Sequence, residues 1–296
     1  MHADSTNFVP DYLVLGHVAK DLLPGGDASA GGTVTYSAIT AQRLGLQAAI
    51  VTACAPQDVQ LLHAARQEGV WVHVASSPAT TTFRNTYDAE GKRTQLIFAQ
   101  AEPIDLQNVP PAWLSAPIVH LGPIAQELPG DLAPHLQECL LGVTPQGWMR
   151  SWDTEGVVEH SAWPLPPQLS NLPPNSFLVT SIEDLGYDPQ LIEHYVKLAP
   201  LVAITQAANG ACIYNGSANE FLVPAFETQI VDATGAGDVF ATALFIRYHE
   251  TGDLEESARF AHAAAACAIE GIGTSTIPDR KAVERRMRGQ GSGTRI

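Results

Sequence analysis

The stretch that decides the fold reads Val231-Asp232-Ala233-Thr234-Gly235-Ala236-Gly237-Asp238-Val239-Phe240. An apolar strand pattern ends here, small residues make a turn, and helical periodicity begins at about Ala236. Glycines let backbone N–H groups approach a ligand without an intervening Cβ atom. The helix N-terminus adds unpaired N–H donors and a partial positive charge. The stretch therefore predicts an anion hole for a phosphoryl group, formed by Gly235, Ala236 and Gly237.

Asp238 lies at the edge of this predicted anion hole. A carboxylate there can take the proton of an attacking hydroxyl group, and the positive potential of the helix N-terminus should keep it ionised. A weak base is enough, because phosphoryl transfer depends mainly on positioning and charge neutralisation. The residues also fit an ordinary Asp N-cap on a glycine-rich turn, so the stretch alone leaves both interpretations open.

Two other nucleotide-binding motifs are excluded by the sequence. It contains no Gly-x-x-x-x-Gly-Lys-Ser/Thr stretch, so it is not a P-loop protein. The residue three positions after Gly237 is Phe240 rather than glycine, so the dinucleotide fingerprint is incomplete.

Apolar strand patterns alternate with helical ones along the chain. This alternation predicts an α/β fold with a doubly wound, mostly parallel sheet and helices on both faces. The predicted strands are 12–16, 48–52, 70–74, 117–121, 143–148, 176–180 and 200–205. The predicted helices are 33–44, 57–67, 131–141, 188–198, 238–249 and 254–269, and the predicted hairpins are 80–98, with its turn at Gly91, and 210–223.

Charge and composition limit the partners and the compartment. The net charge is −15, and so acidic a protein repels phosphodiester backbones, which argues against nucleic-acid binding. No apolar run is long enough for a membrane span, and Met1–Asn7 lacks the features of a signal peptide. The four cysteines form no Cys-x-x-Cys pair, so we expect a cytoplasmic protein with reduced thiols. Residues 281–296 are basic and predicted to form a disordered tail.

Asp232-Ala-Thr-Gly-Ala-Gly-Asp238 resembles the signature Asp-Thr-x-Gly-Ala-Gly-Asp of the PfkB family of carbohydrate kinases, which have the ribokinase-like fold. Other stretches agree with family motifs in order and spacing: Gly16–Asp21, Gly31–Ala38, Ser181–Asp184, Thr205–Gly210 and Arg259–Ala266. The resemblance covers residues 11–280, which we expect to form one kinase domain.

The resemblance implies a phosphotransferase that moves the γ-phosphoryl group of ATP to a hydroxyl group of a sugar, inositol or related polyol. It assigns the role of general base to Asp238. It also implies Mg²⁺ with the nucleotide and a small β-lid from about 17–32 and 80–98, which excludes water. A homodimer is compatible with it.

The resemblance also assigns residues to three ligands. The acceptor would contact Asp21, Gly32, Tyr36, Phe83, Asn85 and Arg150. The nucleotide would contact Thr205, Gly210, Thr234 and His262. Asp184 would hold Mg²⁺ through water, and Asp232 a monovalent cation such as K⁺.

Several of these residues also have a purely structural interpretation. Asp21 could be a solvated loop residue, Asp184 part of an acidic helix N-terminus, and His262 a packed core residue. Arg150 could pair with Asp153 instead of meeting a substrate. The hairpin 80–98 could be a simple edge ribbon, with Phe83 and Asn85 core or solvated.

Four positions depart from the family pattern: Tyr36 for Asn, Ala233 for Thr, Ala207 for Gly and Asp184 for Glu. The Tyr36 change argues against a specific assignment as a ribokinase, because the family Asn touches the sugar. Thr81–Asp88 and Pro224–Asp232 instead resemble inositol kinases of the same family.

Two alternative functions stay open. One is a kinase of the same fold that acts on a nucleoside or another small alcohol, with Tyr36 stacking on a base. The other is a catalytically silent protein that binds a nucleotide or metabolite, against which the intact Asp238 and its glycines speak.

Overall fold

The computed structural model describes residues 8–87, 93–130, 132–216 and 219–289, which form fifteen strands and six α-helices. The strands are β1 (Tyr12–Leu15), β2 (Ala19–Leu22), β3 (Ala28–Gly31), β4 (Ala48–Cys54), β5 (Trp71–Ser76), β6 (Thr82–Tyr87), β7 (Arg93–Ala99), β8 (Ile118–Leu121), β9 (Leu140–Val143), β10 (Arg150–Trp152), β11 (Val158–His160), β12 (Ser176–Ser181), β13 (Leu201–Thr205), β14 (Ala211–Asn215) and β15 (Asn219–Val223). The helices are α1 (Thr33–Arg43), α2 (His63–Gln67), α3 (Pro189–Tyr195), α4 (Ala236–Thr251), α5 (Leu254–Ala268) and α6 (Arg280–Gly289).

Nine strands form the main sheet, in the order β15-β14-β13-β12-β9-β8-β1-β4-β5. Seven of them run parallel, and β14 and β15 add an antiparallel hairpin at one edge. Every residue of β1 and β4 is buried. Strands covered on both faces need no polar alternation, which explains their continuous apolar sequences.

The main sheet is covered on both faces. Tyr12 and Val14 belong to the core that contains residues of α1, α4, α5 and α6. Leu13 and Leu15 point the opposite way, into a core with α3 and the irregular segments. The predicted doubly wound α/β architecture is confirmed.

A second sheet, which we call the lid sheet, has the order β3-β2-β6-β7. Its strands lie within the two segments that the sequence assigned to a lid. Phe83 and Ile97 of this sheet pack against Ile124 and Ala125, in the loop that follows β8. The turn predicted at Gly91 lies outside the described residues.

The prediction for residues 131–148 was wrong. No α-helix forms in the described part of 131–141, where only a 3-10 turn occurs, at Ala133–His135. Pro134 lies within this turn and lacks the N–H group that a longer helix would need. The strand is Leu140–Val143 rather than 143–148. Its Gly142, unusual in a strand, lies where a Cβ would collide with the Phe245 ring.

The basic C-terminal segment is helical as far as residue 289. Helix α6 occupies most of the range predicted to be disordered, with Val283 fully buried against the body. Ion pairs join Arg280 to Glu250, and Arg286 to Glu270 at 2.9 Å. Residues 290–296 of the predicted tail lie outside the described residues. Among the described helices, none has both the length and the apolar character needed to cross a membrane.

Candidate active site

A cavity of about 560 Å³ lies between the lid sheet and the carboxyl ends of the parallel strands, where open α/β sheets place ligands. We call it the polar cavity. It contains all six residues predicted to contact the acceptor: Asp21, Gly32, Tyr36, Phe83, Asn85 and Arg150. It also contains Asp184, Asp232, Thr234 and Asp238.

A second cavity of about 600 Å³ lies beside the first, and we call it the apolar cavity. Its walls are largely hydrophobic: Phe226, Ile230, Phe240, Ala265, Ala266 and Ile269. Three of the four predicted nucleotide residues line it, namely Thr205, Gly210 and His262. The fourth, Thr234, lines the polar cavity instead.

The glycine-rich loop forms the junction of the two cavities. Ala233, Ala236 and Gly237 line both, as does Thr205 at the end of β13. A ligand in either cavity can therefore reach the same loop.

Asp232 fixes the conformation of this loop. Its Oδ1 accepts the Thr234 N–H at 2.9 Å, and its Oδ2 accepts the Gly273 N–H at 2.9 Å. Burial raises the pKa of Asp232, but hydrogen bonds with the side chain and backbone of Thr234 and with the Gly273 amide outweigh burial and leave the pKa below its ordinary value. Both carboxylate oxygens thus stabilise the loop through hydrogen bonds. The binding of a cation at Asp232 stays a prediction.

Gly235 is required by its backbone conformation and by its neighbour. It is the N-cap of α4 with φ 77°, in the left-handed region that favours glycine. A Cβ at this position would collide with the ring of Tyr36. The Tyr36 side chain is therefore the surface on which the loop rests, and only 5% of the residue is exposed. So little exposure leaves only a small part of the ring on which a nucleobase could stack.

The first amides of α4 differ in what they can bind. The Ala236 N–H donates to the Ala233 carbonyl at 3.2 Å, so it closes the turn and is not aimed at a ligand as the sequence predicted. The N–H groups of Gly237 and Asp238 belong to the first helical turn and have no acceptor within the helix. The Asp238 amide is a candidate anion donor that the sequence analysis missed.

Gly237 faces open space. No atom lies within 4 Å of the position that a Cβ would occupy, and its φ is outside the left-handed region. The fold therefore does not demand glycine here, in contrast to Gly235. An open side at the junction of two cavities suits a bound phosphoryl group.

Asp238 lies in the first turn of α4, three residues after the N-cap Gly235, so it is not the N-cap itself. Burial raises the pKa of its carboxyl group to about 6, although a hydrogen bond with Thr33 and the charge of Arg150 lower it. From the sequence, the helix N-terminus was expected to determine this pKa, and the contribution of Thr33, which directly follows Gly32, was not predicted. At neutral pH the group is ionised yet basic enough to accept a proton, as general-base catalysis requires.

This pKa predicts the pH dependence of the reaction. A base acts only when deprotonated, so kcat/KM should reach a plateau above pH 6 and fall about tenfold per pH unit well below it. Initial rates between pH 5 and pH 8, with circular dichroism at each pH to establish folding, provide the measurement. A profile that stays flat through this range would contradict the role of Asp238 as base.

Arg150 is a buried cation in the wall of the polar cavity, with 8% of the residue exposed. Its guanidinium group donates to the Ile124 carbonyl and to Gln146 Oε1, each at 2.8 Å. It also lies 5.6 Å from the centre of the Phe83 ring. Asp153, the partner that the sequence allowed, accepts amide N–H groups of the β10–β11 turn.

Two lid residues reach the polar cavity in different ways. Asp21 lies opposite Ser29 in the β2–β3 pair, and a Cβ at Gly31 would collide with its carboxylate. Asn85 Oδ1 accepts the Gln95 Nε2–H at 3.0 Å across the β6–β7 pair. Asp21 therefore lies in a strand at the wall of the polar cavity and not in a solvated loop.

Asp184 lies at the edge of the polar cavity beside Glu183. The Ser181 hydroxyl accepts the Asp184 N–H at 3.0 Å, and Asp184 Oδ2 accepts the Ser181 N–H at 3.3 Å. The segment is a turn rather than a helix N-terminus. In the described part of the chain no cluster of three acidic, His or Cys residues could hold a metal alone. Mg²⁺ usually takes one or two carboxylates plus phosphate oxygens, which Asp184 and Glu183 fit.

His262 of α5 lines the apolar cavity and packs on Phe240, with 4.7 Å between ring centres. Burial lowers its pKa to about 4, so the ring is neutral at physiological pH. Its Nε2 atom is buried and has no hydrogen-bond partner among the described residues. Nearby, Ala207 adopts φ 48°, the left-handed conformation that the family glycine would adopt without strain.

Residues 181–281 match the family model described as pfkB family carbohydrate kinase, and this segment contains the glycine loop and Asp238. Among curated proteins, the cytidine kinase of Thermococcus kodakarensis is 26% identical over 268 residues, which cover 84% of this chain and 92% of the relative.

Solved structures agree with this match. A pyrophosphate-dependent kinase in the ribokinase family, complexed with a pyrophosphate analog and myo-inositol, has a TM-score of 0.77 at 23% identity, covering 93% of this chain and 99% of its own. Arabidopsis thaliana ribokinase complexed with ribose and ATP has a TM-score of 0.75 at 20% identity, covering 95% and 99%. These likenesses show the ribokinase-like fold. The chain therefore has the ribokinase-like fold, and its residues 181–281 match the PfkB family of carbohydrate kinases.

Proposed function

We propose that this kinase transfers the γ-phosphoryl group of ATP to a hydroxyl group of a sugar, inositol or related polyol. The observation that best supports this proposal is that the two cavities meet at the glycine loop, with Asp238 in the adjoining helical turn. The polar cavity offers carboxylates and a guanidinium group for a polyol, and the apolar cavity offers flat hydrophobic walls for a base.

In this proposal Asp238 takes the proton of the acceptor hydroxyl group. The acceptor oxygen forms a bond to the γ-phosphorus atom, and the bond from that phosphorus to the bridging oxygen of ADP breaks. The amides of Gly237 and Asp238, together with that of Gly235, donate to the transferred group and stabilise the negative charge that develops on it. Mg²⁺ held by Asp184 or Glu183 through water would neutralise phosphate charge when bound.

The apolar cavity supports a nucleotide as the donor. Pyrophosphate, the donor named for one structural neighbour, has no apolar group that could pack against hydrophobic side chains. In this chain those walls include the partly exposed Ala265 and the Phe240 and His262 rings, all beside the glycine loop. A planar apolar base fits this lining.

Narrowing the apolar cavity should separate the two donors. Ala265→Leu adds a side chain at the cavity wall and should raise the KM for ATP about tenfold or more, because the lost fit costs roughly 1–3 kcal/mol. Rates with ATP and with pyrophosphate, for this variant and for Ala265→Ser as a small-residue control, provide the measurement. The proposed donor would be contradicted if the variant had an unchanged KM for ATP. It would also be contradicted if the unmodified protein used pyrophosphate, and not ATP, as its phosphoryl donor.

A nucleoside is the second candidate acceptor, because the curated relative reported above is named a cytidine kinase. Only 5% of Tyr36 is exposed, so little of its ring is open to a base, which favours a smaller polyol. We expect turnover of myo-inositol or a pentose with ATP·Mg²⁺ and weaker turnover of cytidine. Release of ADP with each compound, with product analysis, tests this. A preference for cytidine supports the second candidate, and no turnover of any acceptor supports a silent binding protein.

A further inference from the structure

A chain of hydrogen bonds crosses the main sheet below the polar cavity. The Tyr12 hydroxyl of β1 lies 3.1 Å from the Thr242 hydroxyl of α4 and 2.8 Å from His120 Nδ1 of β8. His120 Nε2 lies 2.9 Å from the hydroxyl of Thr144, which follows β9. Thr144 lines the polar cavity, so the chain runs from the interior to the wall of the proposed acceptor site.

His120 must be neutral in this position. It is fully buried, and burial lowers its pKa to about 3. A neutral imidazole carries one N–H donor and one unprotonated nitrogen that accepts. One neighbour of the ring must therefore donate a hydrogen bond to it, and the ring must donate one to the other neighbour. All hydrogen bonds in the series then point the same way.

The buried end of the chain decides this direction. Thr242 is fully buried, and among the described residues its hydroxyl has one hydrogen-bond partner, the Tyr12 hydroxyl. A buried donor left unpaired is costly, so the Thr242 O–H donates to the Tyr12 oxygen. The other hydroxyl near Tyr12, that of Ser37, forms no hydrogen bond with any described residue. Tyr12 therefore donates to His120 Nδ1, and the protonated Nε2 donates to Thr144 Oγ1.

The outer end follows from the same rule. Because Thr144 Oγ1 accepts from His120, its own proton remains available. The half-buried Thr144 side chain meets the polar cavity, where that proton can be donated. Because its oxygen already accepts a hydrogen bond, the Thr144 hydroxyl acts as a donor, and its O–H bond has a preferred orientation.

We propose that Thr144 binds the acceptor by donating a hydrogen bond to one of its oxygen atoms, and that Thr242, Tyr12 and His120 are positioning residues that fix this direction. The inference rests on the proposed function and adds a requirement to it. The acceptor has an oxygen atom at the floor of the cavity, at the carboxyl end of β9.

The kinetic test compares near-isosteric variants of Thr144. Thr144→Val removes the hydroxyl and should raise the KM for the best acceptor of the panel about tenfold, as expected for one hydrogen bond, with the KM for ATP unchanged. Thr144→Ser keeps a hydroxyl and should restore most of the affinity. Thr40→Val removes another buried hydroxyl, one that donates within α1, and is the matched control. An unchanged acceptor KM in Thr144→Val overturns the proposal.

A second measurement needs no substrate. Nuclear magnetic resonance of protein labelled with ¹⁵N-histidine distinguishes the two ring tautomers, and His120 is identified as the ring whose signals change in Thr144→Val. We expect protonated Nε2 and unprotonated Nδ1. A ring protonated at Nδ1 reverses the chain and overturns the inference. If no panel compound is turned over, the proposed function fails, and the tautomer still decides the direction of the Thr144 hydroxyl.

Discussion

Replacing Asp238 by Asn is expected to lower kcat by at least ~10², because the variant loses a general base whose contribution is usually ~10²–10⁴. The two side chains have the same shape, and the neighbouring Thr33 hydroxyl can still pair with the amide. The KM for ATP should change little, since Asp238 lines the polar cavity and is not part of the apolar cavity lining. Steady-state rates at pH 8 and nucleotide titrations provide the measurement.

Stability should respond in the opposite direction. The folded pKa of Asp238 lies above its ordinary value, so this group stabilises the fold only at low pH and opposes folding when ionised. Asp238→Asn should therefore melt at the same or a higher temperature at pH 8. Asp253→Asn, at the N-cap of α5, removes an acidic group from another helix start and should keep normal turnover. A variant of Asp238 with near-normal kcat would remove it from the mechanism.

The sequence was most informative where a segment's structure depends on its own residues. The strands of the main sheet could be predicted because β1, β4, β12 and β13 are short apolar runs, buried on both faces. The start of α4 was predicted at the right residue, because Gly235 and the small residues before it have few conformational alternatives.

Prediction failed where distant contacts determine the structure. Strand β9 contains Gly142, where a Cβ atom would collide with the ring of Phe245 in α4, more than a hundred residues away. Strands β10 and β11 have three residues each and form an antiparallel ribbon beside the lid sheet, with Val157 bridged to Leu96. No local pattern distinguishes such pieces from loops.

Helix α6 illustrates a different failure. Its five basic residues and its polar composition suggested a solvated tail, yet Val283 and Met287, four positions apart, pack on the body. Two contacts of this kind are too few to stand out in a charged sequence, although spacing by four is the helical signal. The glutamates that pair with Arg280 and Arg286 belong to helix α4 and to the segment after α5.

The candidate site shows the same division. Residues in glycine-rich motifs, such as Gly32, Gly210 and Gly237, were predicted and do line the two cavities. Thr33 and Thr144 were missed because a threonine hydroxyl has no sequence signature, and its partner is known only once the sheet is assembled. The Tyr36 ring was predicted at the cavity, but its position beneath Gly235 could not be inferred.

Gly237→Val is expected to reduce kcat by ~10²–10³, because a preorganised donor to a developing negative charge is worth ~2.7–4 kcal/mol. The structure places the new side chain in open space at the junction of the two cavities, where it would stand between the backbone amides and the phosphoryl group. The acceptor should still bind, since Asp21 and Gly32 lie on other segments. Turnover per folded molecule and acceptor titrations measure the two effects separately.

The other glycine of the loop, Gly235, provides a matched control for Gly237→Val. Gly235→Ala should lower the melting temperature, because its φ of 77° is unfavourable for alanine and its Cβ meets the Tyr36 ring. Gly237→Val should leave the melting temperature nearly unchanged, because valine is no worse than glycine within a helix and no atom lies within 4 Å of its Cβ position. If the loop were only a helix start, Gly237→Val would keep normal turnover. Loss of turnover without loss of stability requires that a ligand occupies the space beside Gly237.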